Sequence, residues 1–100
     1  MNEEEKERYG KYLPIGTVVI LKEGKKRLMI TGFCPTADSD GEKKIFDYCG
    51  VIFPEGMITT KSMLLFNHNQ IKKIFHMGLY NDEEAMELKQ RLKKLVNEKK

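Results

Sequence analysis

Residues 17–34 read TVVILKEGKKRLMITGFC, and their reading decides the fold. Val18, Val19, Ile20 and Leu21 form a β-branched run with apolar groups on both faces, the pattern of a buried strand. Glu23 and Gly24 follow, and Gly24 has the backbone freedom that a hairpin loop demands. Arg27 to Cys34 is therefore expected to return antiparallel to the first strand. Just upstream, Pro14 and Gly16 mark a turn that leads into this hairpin.

Downstream, Pro35 to Lys44 concentrates turn formers and charges and reads as an exposed loop. From Ile45 to Phe53 an alternating pattern predicts a third strand. Pro54-Glu55-Gly56 is a turn, and the short apolar runs Met57–Thr60 and Met63–Phe66 predict a fourth strand, broken at Lys61-Ser62. Asn67 is placed to cap a single helical turn, and Lys73 to Met77 predicts a last strand.

The period then changes. Ala85, Leu88, Leu92 and Leu95 recur at spacings of three and four, with Met86 and Val96 widening the stripe, which predicts an amphipathic helix. Asn81 is placed to cap it. Asp82, Glu83, Glu84 and Glu87 come early, whereas Lys89, Arg91, Lys93 and Lys94 come late, an order that complements the helix dipole. The expected fold is a small α+β domain, a mostly antiparallel sheet or partly open small barrel of about 4–5 strands with this helix attached. Residues 1–12 are expected to be a flexible charged arm, 13–80 the β-rich core, and 81–100 the helix, packed on the same single domain.

Bulk properties narrow the class. A chain of 100 residues, 40% hydrophobic and 33% charged, supports one modest core. No apolar run approaches the roughly 18 residues of a membrane span, and the opening stretch is acidic where a signal peptide would be basic, so a cytoplasmic location is expected. Cys34 and Cys49 are too few for a disulfide framework and read as small buried thiols. The net charge of +3 has no basic pole. Lys25-Lys26-Arg27 and Lys43-Lys44 read as solvated strand edges.

Chemistry-bearing patterns are sparse. His68 and His76 lie in no nucleophile motif; His68 reads as a loop hydrogen-bonder and His76 as an outward strand residue. Cys34, Cys49, His68 and His76 would be a suitable zinc set but lack the paired spacing that pre-forms half a tetrahedron. Asp38-Ser39-Asp40-Gly41 resembles part of a calcium loop without flanking helices, and no glycine-rich phosphate loop occurs. No catalytic residue, metal or cofactor is expected, and the chain is read as not an enzyme. Phe33, Phe46 and Tyr48 near Lys26, Arg27 and Lys44 leave a small-barrel nucleic-acid binder as an alternative.

The motifs Leu13-Pro14-Ile15-Gly16, Arg27-Leu28-Met29-Ile30-Thr31-Gly32, Phe46-Asp47-Tyr48-Cys49-Gly50, Pro54-Glu55-Gly56 and Leu65-Phe66-Asn67-His68, in this order and spacing, resemble domain-of-unknown-function family 4176 over residues 12–84. That resemblance implies a small protein of Gram-positive bacteria, encoded near type VII secretion genes and their LXG-class toxins. It further implies a cytosolic chaperone or targeting factor that binds a toxin before export, with an immunity protein for the same toxin as the alternative. Such a role requires exposed apolar side chains. The candidates are Met57, Ile58, Met63, Ile74, Phe75 and Met77, with Leu88, Leu92 and Leu95 of the helix stripe, and for each the alternative is burial in the core. The near-heptad spacing of that stripe also admits a homodimer through the C-terminal helix.

Overall fold

The computed structural model describes residues 10–39 and 41–98. Its strands are β1 (Val18–Leu21), β2 (Arg27–Phe33), β3 (Thr36–Ser39), β4 (Glu42–Ile45), β5 (Tyr48–Phe53), β6 (Leu64–Phe66) and β7 (Ile71–His76), and the chain ends in helix α1 (Glu83–Glu98). Five strands make one open antiparallel sheet in the order β6-β5-β2-β1-β7. The architecture is the expected small α+β fold, with the sheet unclosed. Among the described residues no helix is long and apolar enough to cross a membrane.

The hairpin read from residues 17–34 is present, with Val19 opposite Leu28 and Val18 opposite Met29. The stretch expected as an exposed loop is instead a second hairpin, β3 paired with β4. The two hairpins are continuous: Phe33 faces Tyr48, Cys34 N–H donates to the Asp47 carbonyl at 3.1 Å, and Phe46 N–H donates to the Pro35 carbonyl at 3.0 Å. The β2–β5 ladder thus runs outward through a bend at Cys34, whose φ is +51°, and turns back at Gly41, whose φ is +80°. The strand expected over Ile45–Phe53 is divided at the same bend. Asp40, of the calcium-like loop, lies outside the described residues.

The main core cluster lies on one face of the sheet, and Val18 and Val51 are buried on the other. Leu13, Val19, Leu28, Ile30, Tyr48, Phe66, Ile71 and Ile74 are buried together, and Leu21, Phe33, Ile52 and Met77 pack against them. Tyr48 stacks on Phe66 at a ring distance of 5.3 Å. Close approach here requires glycine: a Cβ on Gly50 would lie 2.5 Å from the Met29 carbonyl oxygen and 3.2 Å from the Phe66 ring. At the other edge, a Cβ on Gly78 would collide with the Ile15 carbonyl.

The edge strand β7 breaks the usual alternation. Ile71 and Ile74 both face the core although three positions apart. The cause is a pair of register shifts: Val19 pairs with Ile74 and Leu21 with Ile71, so β7 carries extra residues against β1. Of the charged arm expected over residues 1–12, residues 1–9 lie outside the described residues. Tyr12, assigned to that arm, belongs to the buried core, its ring edge-on to Phe33 at 6.2 Å and its φ at +64°.

α1 starts as its charge order implies, but its cap is Asp82 and not Asn81, since Asp82 Oδ2 accepts the Ala85 N–H at 3.1 Å. The helix makes no extensive contact with any strand. Ala85 and Leu92 are half-buried, while Met86, Leu88 and Leu95 are exposed.

Candidate partner-binding surface

Two polar clamps hold the scaffold in place. The Tyr48 hydroxyl accepts the buried Leu13 N–H at 3.0 Å and shares a 2.8 Å hydrogen bond with Nδ1 of His68. Burial pushes the Tyr48 phenol well above the ordinary tyrosine range, against the hydrogen bonds from Leu13 and Tyr12, so it stays protonated. Burial, and then a hydrogen bond with Cys34, likewise raises Tyr12. Asp47 Oδ2 accepts the His68 N–H at 2.8 Å, its Oδ1 lies 3.3 Å from Lys11 Nζ, and its own N–H donates to Asn67 Oδ1 at 3.0 Å. His68 is thus a hydrogen-bonder that ties the β6–β7 link to the start of β5.

The second clamp is Thr17, fully buried, whose Oγ1 accepts the Gly78 N–H at 3.0 Å and contacts Met77 Sδ at 3.8 Å. Among the described residues every buried side-chain nitrogen or oxygen has a partner. Among them, too, no three His, Cys, Asp or Glu side chains converge as metal ligands would.

The expected partner residues separate into three groups. Ile74 is fully buried opposite Val19 and is core, because the register shifts of β7 turn it inward; Met77 is half-buried beside Thr17. Neither offers a free surface. Phe75 is exposed but engaged, with the Arg27 guanidinium 5.6 Å and Lys73 Nζ 4.9 Å from its ring; the same Arg27 lies 4.9 Å from the Phe53 ring. Met57, Ile58 and Met63 do lie at the surface, in the β5–β6 connection, with Ile58 77% exposed. Leu88 and Leu95 are exposed on α1, and Leu92 is half-buried.

The β5–β6 connection holds its apolar residues outward because it has almost nothing to bury them against. It leaves β5 through Pro54, and its single 3-10 turn, Thr60–Ser62, buries no residue. Thr59 closes that turn, accepting the Lys61 N–H at 3.3 Å while its own N–H donates to Ser62 Oγ at 3.2 Å. Lys26 Nζ and Glu55 Oε2, 2.7 Å apart, pin the start of the connection to the β1–β2 loop, and that hydrogen bond holds the Glu55 carboxyl below its usual range. Leu64, the next residue after Met63, is also exposed and begins the sheet edge β6.

The second apolar surface is a groove of about 820 Å³ between α1 and the segment Tyr12–Ile15, with Phe33 and Leu79 in its walls. Ile15 is 54% and Leu79 71% exposed there. Burial, and then the neighbouring Lys93, lowers the Lys89 ammonium at its rim. Sequence reasoning missed Ile15 and Leu79, and it read Leu64 and Met86 as part of a strand and of the helix stripe without counting them as binding candidates. The signal for Ile15 and Leu79 was a large apolar residue inside a turn or linker, where no strand exists to bury it. Of the aromatic set weighed for nucleic acid, Tyr48 is fully buried and Phe33 packs on the core.

A protein-family model described as a domain of unknown function (DUF4176) matches residues 12–87. The match therefore includes the sheet, the β5–β6 connection and the first turn of α1, and ends before Leu88. No curated protein and no solved structure matches the chain.

Proposed function

Because the chain belongs to the domain of unknown function family DUF4176, we propose that it is a non-catalytic protein-binding module, a cytoplasmic chaperone or targeting factor for an LXG-class toxin of a type VII secretion system. The observation that carries the reading is the cluster Met57, Ile58, Met63 and Leu64, four exposed apolar side chains within eight positions of one connection. Isolated surface leucines are ordinary, whereas a contiguous apolar patch on a small domain marks an interaction site. Three of its features suit an incompletely folded client. The patch leads directly into the edge strand β6; two of its residues are methionines, which adapt to irregular apolar surfaces; and that β6 edge offers backbone groups to an extended segment.

The test is co-expression with the LXG-class toxin encoded beside the gene, followed by affinity capture and measurement of toxin solubility. The expected result is a stoichiometric complex that keeps the toxin soluble and that is lost in Ile58→Asp/Met63→Asp, with the variant's own fold intact by circular dichroism. A toxin that is soluble alone and merely inhibited by this protein would make it an immunity protein, and absence of any complex would end the chaperone reading.

A further inference from the structure

Lys72 and Phe75 are the two residues of β7 that the register shifts leave without partners on β1. The same irregularity that turns Ile74 into the core leaves Phe75 exposed on the opposite face, beside Lys73 and 5.6 Å from the Arg27 guanidinium. That face carries a continuous row across four strands: Phe53 pairs with Arg27, Arg27 with Ile20, and Ile20 with Lys73. The row beside it, Val51, Met29 and Val18, is apolar.

The charge of this face has one sign. The five strands of the sheet hold Arg27, Lys72 and Lys73 and no Asp or Glu. Among the described residues neither Arg27 nor Lys73 forms an ion pair. Glu55 is within the electrostatic reach of Arg27, but it is bonded to Lys26 at 2.7 Å. Arg27 is held instead by rings, its guanidinium 4.9 Å from that of Phe53 and 5.6 Å from that of Phe75. A guanidinium placed over rings keeps its N–H fork for a planar anion, and a fork already held in place loses less freedom when the anion binds. Lys73, 4.9 Å from the Phe75 ring, sets a second positive charge on the same face.

We propose that this outer sheet face binds an acidic segment of a protein partner, whose carboxylates meet Arg27 and Lys73 and whose apolar side chains meet Phe53, Phe75 and Met29. The inference rests on the protein-binding reading above, and not on a toxin as the partner. Charge selects an anion, because the strands carry positive groups alone. The interleaving of those groups with aromatic and aliphatic side chains selects a peptide in which acids alternate with apolar residues. Three cations are few for a nucleic-acid backbone, whose tight binders neutralise on the order of 6–10 phosphates. The row also starts at Phe53, the last residue of β5 before the connection that carries Met57, Ile58 and Met63, so one partner chain can engage both surfaces.

The experiment is fluorescence anisotropy of a labelled peptide of alternating Glu and Val titrated with the full chain. A Gln-and-Val peptide and an oligothymidylate serve as comparisons, and circular dichroism is the control for folding. The Glu peptide is expected to bind at least about tenfold more tightly than the Gln peptide. Arg27→Gln should weaken it about tenfold, and Arg27→Lys nearly as much, because an ammonium does not reproduce the planar fork. Lys73→Gln, a change at an exposed position, should weaken it roughly threefold. Equal affinity for the two peptides, or affinity unchanged by Arg27→Gln and Lys73→Gln in folded protein, overturns the proposal; tighter binding of the oligothymidylate overturns it in favour of nucleic acid. Capture of the toxin separates the two readings. Peptide binding through Arg27 without a toxin complex supports the face and ends the chaperone role, whereas a toxin complex without peptide binding overturns the face and leaves the chaperone role standing.

Discussion

Val19, Ile30, Tyr48, Phe66, Ile71 and Ile74 of the sheet are fully buried, whereas on α1 Met86, Leu88 and Leu95 are each at least 40% exposed. Both regions carry amphipathic patterns of ordinary strength. The difference lies in what each pattern finds to pack against: the sheet's residues find one another across four strand pairs and the Leu13 segment, while the helix faces a groove. An amphipathic period reports that a face must be covered, and it is silent on which chain covers it. Stability is therefore expected to reside in the sheet, and interaction capacity in α1 and the β5–β6 connection.

The largest effect that would sharpen this contrast is Phe66→Ala. Phe66 stacks on Tyr48 and closes the core against Gly50, so its loss should leave a cavity and cost about 3–5 kcal/mol in urea unfolding. A loss below about 1 kcal/mol would mean that the buried face of the sheet is not where the stability lies.

Tyr48→Phe should have the next largest effect. It keeps the ring and deletes the hydroxyl that serves Leu13 N–H and His68, at a cost of about 1–3 kcal/mol. It also has a pH signature. The folded phenol titrates above its unfolded value of about 10, so above that pH the unfolded chain holds fewer protons than the folded one and stability falls as pH rises. Wild-type stability should decline above about pH 10, and Tyr48→Phe should show a shallower decline, with Tyr12 supplying the remainder. Equal slopes in the two proteins would remove Tyr48 from the account.

Much of the sheet was legible. The β1–β2 hairpin followed from a β-branched run and a glycine, and the presence of α1 from its period. The inward turn of Ile74 was not legible, because two register shifts against β1 replace the strand period of two, and such shifts are set by pairing with β1 and not by β7 alone. Tyr12 was read with its charged neighbours, yet a positive φ folds it back onto Phe33. The hairpin β3–β4 did carry its turn signal, Asp40-Gly41, but its second strand is wholly exposed and has no apolar alternation to announce it. Of the candidate surface, Met57, Ile58 and Met63 were readable as apolar residues around a broken strand, whereas the groove depends on how far α1 stands from Tyr12–Ile15, a distance no local pattern encodes.

The smallest effect is the most discriminating one. Leu95→Ala removes an apolar side chain that is 52% exposed and keeps a strong helix former in its place, so the stability of the isolated chain should change by less than about 0.5 kcal/mol. If α1 pairs with a second copy, unfolding midpoints of wild type and variant should coincide in dilute solution and separate as concentration rises, because association stabilises only the folded state and does so by mass action. A loss that persists undiminished on dilution would place Leu95 in the packing of its own chain, and the division between a self-sufficient sheet and an uncovered helix would not hold.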